Sequence, residues 1–184
     1  MSERGARERF ERLLLPHLDA AYALARWLLR DDSLAEDAVQ EACLRAFRFL
    51  GSLKGESAKP WLLKIVRNTC YELLARERLG AGREDFDEAN PGESAAGTVV
   101  VLPLDPEASA LRCADRALVR DCLAALPAVY REALVLREMH GCAYKEIAAI
   151  VGVPIGTVMS RLSRARRLLH WTIAERLRRD RTAS

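Results

Sequence analysis

The sharpest constraint on this chain is the break Gly152-Val153-Pro154, set between two amphipathic patterns in AYKEIAAIVGVPIGTVMSRLSRAR, Ala143 to Arg166. Before the break, Tyr144, Ile147, Ala148 and Val151 recur at helical spacing and predict a short helix with one buried face. Glycine supplies the backbone freedom of a sharp turn, and proline suits the first turn of a new helix. After the break, Val158, Leu162, Ala165 and Leu169 share one side of a second helix. At about 100° per residue, the opposite side collects Gly156, Ser160, Ser163, Arg164 and Arg167, flanked by Thr157 and Arg161. Four arginines and no acid fall between Ile155 and Leu169. Two helices around a glycine turn, the second with a small, hydroxylated and basic face, describe a helix-turn-helix at about 143–162. A merely solvated face ordinarily mixes charge signs, so this one reads as a recognition helix.

The remaining sequence divides into helical patterns and one interruption. Phe10, Leu13, Leu14, Ala21, Leu24 and Leu28 mark helix up to Leu29, broken or kinked at Pro16. Ser33 and Glu36 have the spacing of a capping box, which starts a helix over Leu34–Leu50. Its expected buried face is Ala35, Ala38, Val39, Ala42, Cys43, Ala46 and Phe47. Asp37, Gln40, Glu41, Leu44, Arg45 and Arg48 are left outside. Leu44 among these polar residues is either a protein-binding patch or one ordinary exposed leucine. After the loop GSLKGES comes a helix over 59–78 with Trp61, Leu62, Ile65, Val66, Thr69, Leu73 and Leu74 as core. Its outer side carries Lys64, Arg67, Asn68 and Tyr71, residue types suited to phosphates and bases, or simply to water. From Gly80 to Ala108 helical periodicity gives way to glycine, proline and acid, apart from the apolar run Thr98–Leu104. Helices over Leu111–Leu126, from Pro127 to His140-Gly141, and through the helix-turn-helix to about Arg178 complete the chain.

The expected fold is therefore all-α. A three- to four-helix domain spans 7–79, a flexible acidic linker 80–109, and a four-helix helix-turn-helix domain 110–178. Net charge is only +3, but it is unevenly placed. Gly80 to Ala108 holds seven acids against one arginine, and Ile155 to Ser184 eight arginines against two acids. A basic end and an acidic middle point to nucleic acid as partner. No apolar run approaches the ~20 residues of a membrane helix, and MSERGARERF lacks the apolar core of a signal peptide. A cytoplasmic protein without membrane insertion is expected. The five cysteines form no C-x-x-C pair and fit no zinc spacing, so they read as reduced core residues. No glycine-rich phosphate loop, catalytic carboxylate pair or Ser/His/Asp set is present, so neither enzyme chemistry nor a cofactor is expected.

Three stretches, AEDAVQEACLRAFRFL, KPWLLKIVRNTCYELLARER and LPAVYREALVLREMHGCAYKEIAAIVGVPIGTVMSRLSRARRLL, carry a resemblance that covers nearly all of the chain outside linker and tails. In this order and spacing the chain resembles a bacterial sigma factor of the sigma-70 family, in the two-domain extracytoplasmic function (ECF) group. The resemblance implies a sigma region 2-like domain that binds core RNA polymerase and the melted −10 strand, and a region 4-like domain that binds the −35 duplex. It implies polymerase contacts at Asp37, Gln40, Glu41 and Leu44, and −10 contacts at Lys54, Lys64, Arg67 and Asn68. By position, Ser160, Ser163 and Arg164 would read −35 bases, with Thr157, Arg161 and Arg167 holding phosphates. An anti-sigma factor is the expected regulatory partner. Met159 departs from the Lys or Arg common in such factors, and Lys145 from an acid. The competing expectation is an autonomous helix-turn-helix repressor or activator, which would need neither the Leu34–Leu50 helix nor the linker.

Overall fold

The computed structural model describes residues 3–53, 57–80 and 106–183; the stretch 81–105, with Thr98–Leu104, and Lys54 lie outside the described residues. Eight α-helices and no strand occur among them: α1 (Glu3–Leu14), α2 (Leu18–Leu29), α3 (Asp32–Arg48), α4 (Ala58–Gly80), α5 (Pro106–Ala124), α6 (Ala128–Leu134), α7 (Tyr144–Val151) and α8 (Ile155–Ala183). The all-α expectation holds, with α1–α4 and α5–α8 forming two four-helix units. Among the described residues no single helix is long and apolar enough to cross a membrane.

Several boundaries differ from those read in the sequence. Pro16 sits in a 3₁₀ turn, Leu15–His17, which separates α1 from α2. The cap of α3 is Asp31, not Ser33: its carboxylate accepts from the Leu34 N–H at 2.8 Å. Asp31 is already extended, so the helix begins two residues earlier than the Ser33–Glu36 spacing suggested. α5 starts at Pro106, inside the stretch assigned to the linker. A proline at the first helical position marks a start as well as it marks a loop, and composition alone does not distinguish the two. α8 continues to Ala183.

In the N-terminal unit, α2, α3 and α4 pack on one another. Ala35, Ala38, Ala42 and Ala46 line the buried side of α3, and their small side chains let the neighbouring helices approach. Phe47 is not in the core; it is 38% exposed and meets the Phe10 ring edge-on at 5.6 Å. In α4, Leu62, Val66 and Thr69 are buried as the periodicity requires. Leu63 and Cys70, on the flank of the helix next to Val66, are also 0% exposed and widen the buried face. α4 also packs against α7 of the C-terminal unit.

The C-terminal unit folds α6, extended by one π-helical turn over Val135–Met139, and α7 against α8. Leu134, Leu136, Ile147, Ile150, Val158, Leu162 and Ala165 fill its interior. The Arg131 guanidinium is buried there, donating to the carbonyls of Ala124 at 2.8 Å and Leu126 at 3.2 Å. Burial pushes its pKa down to about 10. Arg30, held in the left-handed conformation that caps α2, also donates to the Ala124 carbonyl. The carbonyl end of α5 thus receives one arginine from each unit, which suits the negative end of a helix. Lys59 of α4 makes a second tie, donating to the His140 carbonyl at 2.5 Å. The two units share one continuous hydrophobic core.

Candidate functional site

On α3, the residues Asp37, Gln40, Glu41 and Leu44 fall at the i, i+3, i+4, i+7 spacing of a single stripe. Asp37 and Gln40 are exposed, and Leu44 is 57% exposed. Glu41 is half-buried and has a structural partner: Arg45 donates to it at 2.8 Å and to Glu72 of α4 at 2.7 Å. The Arg45 hydrogen bond holds the Glu41 carboxyl below its ordinary range. Beyond the stripe, Phe49 stands exposed, and with Phe47 it makes the end of α3 more apolar outside than the periodicity indicated. A helix terminus lacks neighbours on the next turn, so its large apolar residues escape burial even when their phase is right.

The α4 residues do not form one surface. Lys64 and Asn68 are exposed one turn apart. Arg67 turns aside toward the C-terminal unit, where its Nε donates to Glu132 Oε1 at 2.6 Å and its Nη2 to Oε2 at 3.4 Å. The guanidinium also lies 4.6 Å from the centre of the Tyr71 ring. Glu132 is 2% exposed, and desolvation raises its pKa against the opposing pull of Arg67, Arg161 and Arg131. The sequence reading did not single out Glu132. An acid in an apolar pattern such as VYREALVL is a signal for a buried pair, but it does not say with what.

The helix-turn-helix forms as the Gly152 break requires. α7 and α8 meet at 102°, and Gly152 has φ +77° with its N–H bonded to the Ala148 carbonyl at 2.9 Å. Glu146 accepts from the Ala143 N–H at 2.7 Å and fixes the start of α7. The Pro154 carbonyl receives the Thr157 and Val158 N–H groups at 2.9 and 3.2 Å, starting α8. Ser160, Ser163, Arg164 and Arg167 are exposed, while Thr157 and Arg161 are half-buried at the flanks. The Ser160 hydroxyl donates to the Thr157 carbonyl at 2.9 Å, leaving its lone pairs free to accept. Arg164 and Arg167 border a shallow groove with Tyr130 and Leu168. Arg166 reaches back to Glu138 at 2.9 Å and steadies the helix. The result is a helix with hydroxyl and guanidinium groups on its exposed side, groups whose chemistry can hydrogen-bond base edges and phosphates. Among the described residues no group of three His, Cys, Asp or Glu is placed to hold a metal ion.

The two units correspond to two known protein regions: residues 13–79 match the model of sigma-70 region 2, and residues 116–169 that of sigma-70, region 4. The RNA polymerase sigma-H factor of Pseudomonas aeruginosa is 34% identical over 180 residues, which is 96% of this chain and 92% of that protein. The ECF RNA polymerase sigma-E factor of Escherichia coli is 35% identical over 144 residues, covering 78% of this chain and 75% of its own length. Among solved structures, the sigma factor RpoE in complex with the anti-sigma factor NepR from Bartonella quintana superposes with a TM-score of 0.72. That match has 31% identity and covers 90% of this chain and 96% of the other.

Proposed function

This chain belongs to the sigma-70 family of RNA polymerase sigma factors, in its ECF group, and from that premise we propose how its surfaces divide the work. It is an alternative sigma factor that joins core RNA polymerase, directs it to promoters with −35 and −10 elements, and starts transcription there. The α3 stripe of Asp37, Gln40, Glu41 and Leu44 docks on the polymerase. An exposed leucine bordered by acids supplies an apolar anchor, and the surrounding charge steers the encounter. Lys64 and Asn68, together with Lys54, meet the melted −10 strand, whereas Arg67 is engaged by Glu132 in this structure. On α8, Ser160, Ser163 and Arg164 read −35 base edges, while Thr157, Arg161 and Arg167 hold phosphates. The chain performs no covalent chemistry, and its work on polymerase and chromosome places it in the bacterial cytoplasm. An anti-sigma factor controls it, a reading supported by the RpoE–NepR complex.

The observation that carries this reading is the 102° helix-turn-helix on the same chain as a separate exposed α3 stripe. An autonomous repressor would need only the first. Run-off transcription with purified core polymerase on a −35 saturation library tests both readings. Promoter-specific transcripts that require core polymerase are expected, and DNA binding indifferent to core would favour the repressor. In the same library Arg164→Ala should relax preference at one −35 position, a loss of about 1–3 kcal/mol of discrimination. Arg167→Ala should weaken all sequences alike and lower the salt slope by about one. A uniform loss for Arg164→Ala would remove it from the base readers.

A further inference from the structure

The outer face of α8 does not stop at residue 169, where the match to sigma-70, region 4 stops; the helix runs on to Ala183. At about 100° per residue, Trp171 and Arg178 fall within about 60° of Ser160, Arg164 and Arg167, so all five share one side. Trp171 is 62% exposed there, whereas Trp27 and Trp61 are half-buried. The opposite side of this last part of the helix is occupied. Leu169 is packed against the core, α8 contacts α5, and Cys122 of α5 feels the charge of Arg176. Trp171 therefore turns away from the protein. Tryptophan in water forgoes more apolar burial than almost any side chain, and it is enriched where surfaces bind.

Charge and length both fit this side of α8 to a polyanion. Its arginines have one acid at their edge, Glu175, which meets Arg178 at 3.8 Å and Arg179 at 3.4 Å. With 71% of the Arg178 side chain exposed, the first of these is a loose surface pair, worth little beside a phosphate contact. Ser160 to Arg167 spans about 10 Å at 1.5 Å per residue, which fits a major groove about 12 Å wide. Trp171 stands about 6 Å further along and Arg178 about 16 Å. A straight helix lying face-on to the groove thus brings Trp171 over the sugar–phosphate rim and Arg178 beyond it. An indole suits that rim, since its apolar body can cover deoxyribose while its N–H donates to a phosphate.

We propose that the C-terminal part of α8 is a second DNA contact, in which Trp171 packs on the sugar–phosphate backbone flanking the −35 element and Arg178 holds a phosphate beyond it. The inference rests on the −35 reading of Ser160, Ser163 and Arg164, which sets its register on the duplex. Duplex DNA fits the stripe better than a second copy of the chain does. The stripe continues the proposed −35 face without a break, and a two-fold pairing centred on Trp171 would set arginine against arginine. Sugar and phosphate are the same at every base pair, so this contact adds affinity and footprint without adding sequence preference.

Fluorescence anisotropy of the full-length chain on labelled −35 duplexes tests this, with the flank on each side cut in turn from about ten base pairs to about two. The parent should lose about 10-fold in affinity when one flank is cut and little when the other is. Trp171→Ala should show that loss already on the long duplex and then ignore trimming, while Trp171→Phe should keep most of the flank dependence. Arg178→Ala should lower the salt slope by about one on the long duplex and leave it unchanged on the short one. Both side chains are exposed, so circular dichroism of the variants should match the parent. A parent indifferent to both flanks, or a flank effect as large in Trp171→Ala as in the parent, would overturn the proposal. So would a dimer seen by light scattering and abolished by Trp171→Ala, which would give the face to a second copy. Repeating the trimming on duplexes of unrelated sequence separates the two readings. A parent with no −35 preference would count against base reading at Ser160, Ser163 and Arg164, while a flank dependence that needs Trp171 would leave the backbone contact standing.

Discussion

His140 shows what burial where the two units meet does to a titratable side chain. It is 8% exposed, its Nε2 has no hydrogen-bond partner, and its backbone carbonyl holds the Lys59 ammonium. Desolvation first, and the positive Lys59 second, lower its pKa from 6.5 to about 4. Between those values the unfolded chain binds a proton that the folded chain does not, so stability falls as pH drops through that window. The loss is on the order of 3 kcal/mol by pH 4. Urea midpoints measured from pH 7.5 down to 4.5 should fall accordingly, and His140→Gln should flatten much of that slope. An unchanged slope in the variant would assign the pH dependence to other groups. Glu132 has the opposite sign. Its raised pKa means that its charged form is a cost to the folded structure, offset by the guanidinium of Arg67.

At the scale of elements, the α7 turn is the most sharply specified. Gly152 has φ +77°, and a Cβ built there meets nothing within 4 Å. The cost of Gly152→Ala is therefore backbone strain alone, about 1–2 kcal/mol, which in a protein of this size lowers Tm by roughly 2–8 °C. Gly152→Asn should cost less, because asparagine tolerates the left-handed region. Thermal melts of the two variants check the ranking, and equal melting temperatures would mean that strain does not set the cost. α3 illustrates a different economy. Asp37 is free to meet a partner, but Glu41 also accepts from Arg45, which links α3 to α4 through Glu72. Reversal of charge at Glu41 would disturb the helix pair as well as any docking face, so Asp37 is the cleaner probe of the polymerase surface.

For the whole molecule, the shared core makes the two units thermodynamically dependent on each other. Lys59 and Arg67 of the N-terminal unit bond to the His140 carbonyl and Glu132 of the C-terminal one, and Arg30 completes the carbonyl end of α5. The parent should unfold in one cooperative transition, with calorimetric and van't Hoff enthalpies in agreement. In Arg67→Met, where one of these bonds is lost, the transition should broaden or split, with the van't Hoff value falling below the calorimetric one. Two resolved transitions already present in the parent would mean that the units are energetically independent.

The sequence by itself determined the local architecture, because the signals for it are short-range. Helical periodicity, the Gly152-Val153-Pro154 break, the alanine side of α3 and the basic outer face of α8 depend on residues a few positions apart. The family followed from three such stretches in order. The misreadings at α3 and α5 arose where signals compete over one or two residues, as Asp31 competes with Ser33 for the cap and Pro106 serves a helix start as well as a loop. What only the tertiary structure decided is which distant groups Lys59 and Arg67 of α4 meet. Periodicity identifies one apolar face per helix, and Arg67 read, with Lys64, Asn68 and Tyr71, as part of the outer side. The partners of Lys59 and Arg67 lie 81 and 65 residues away, at the His140 carbonyl and Glu132. A long-range ion pair leaves no period in the sequence, so the seam that brings the two units together is visible only once the chain is folded.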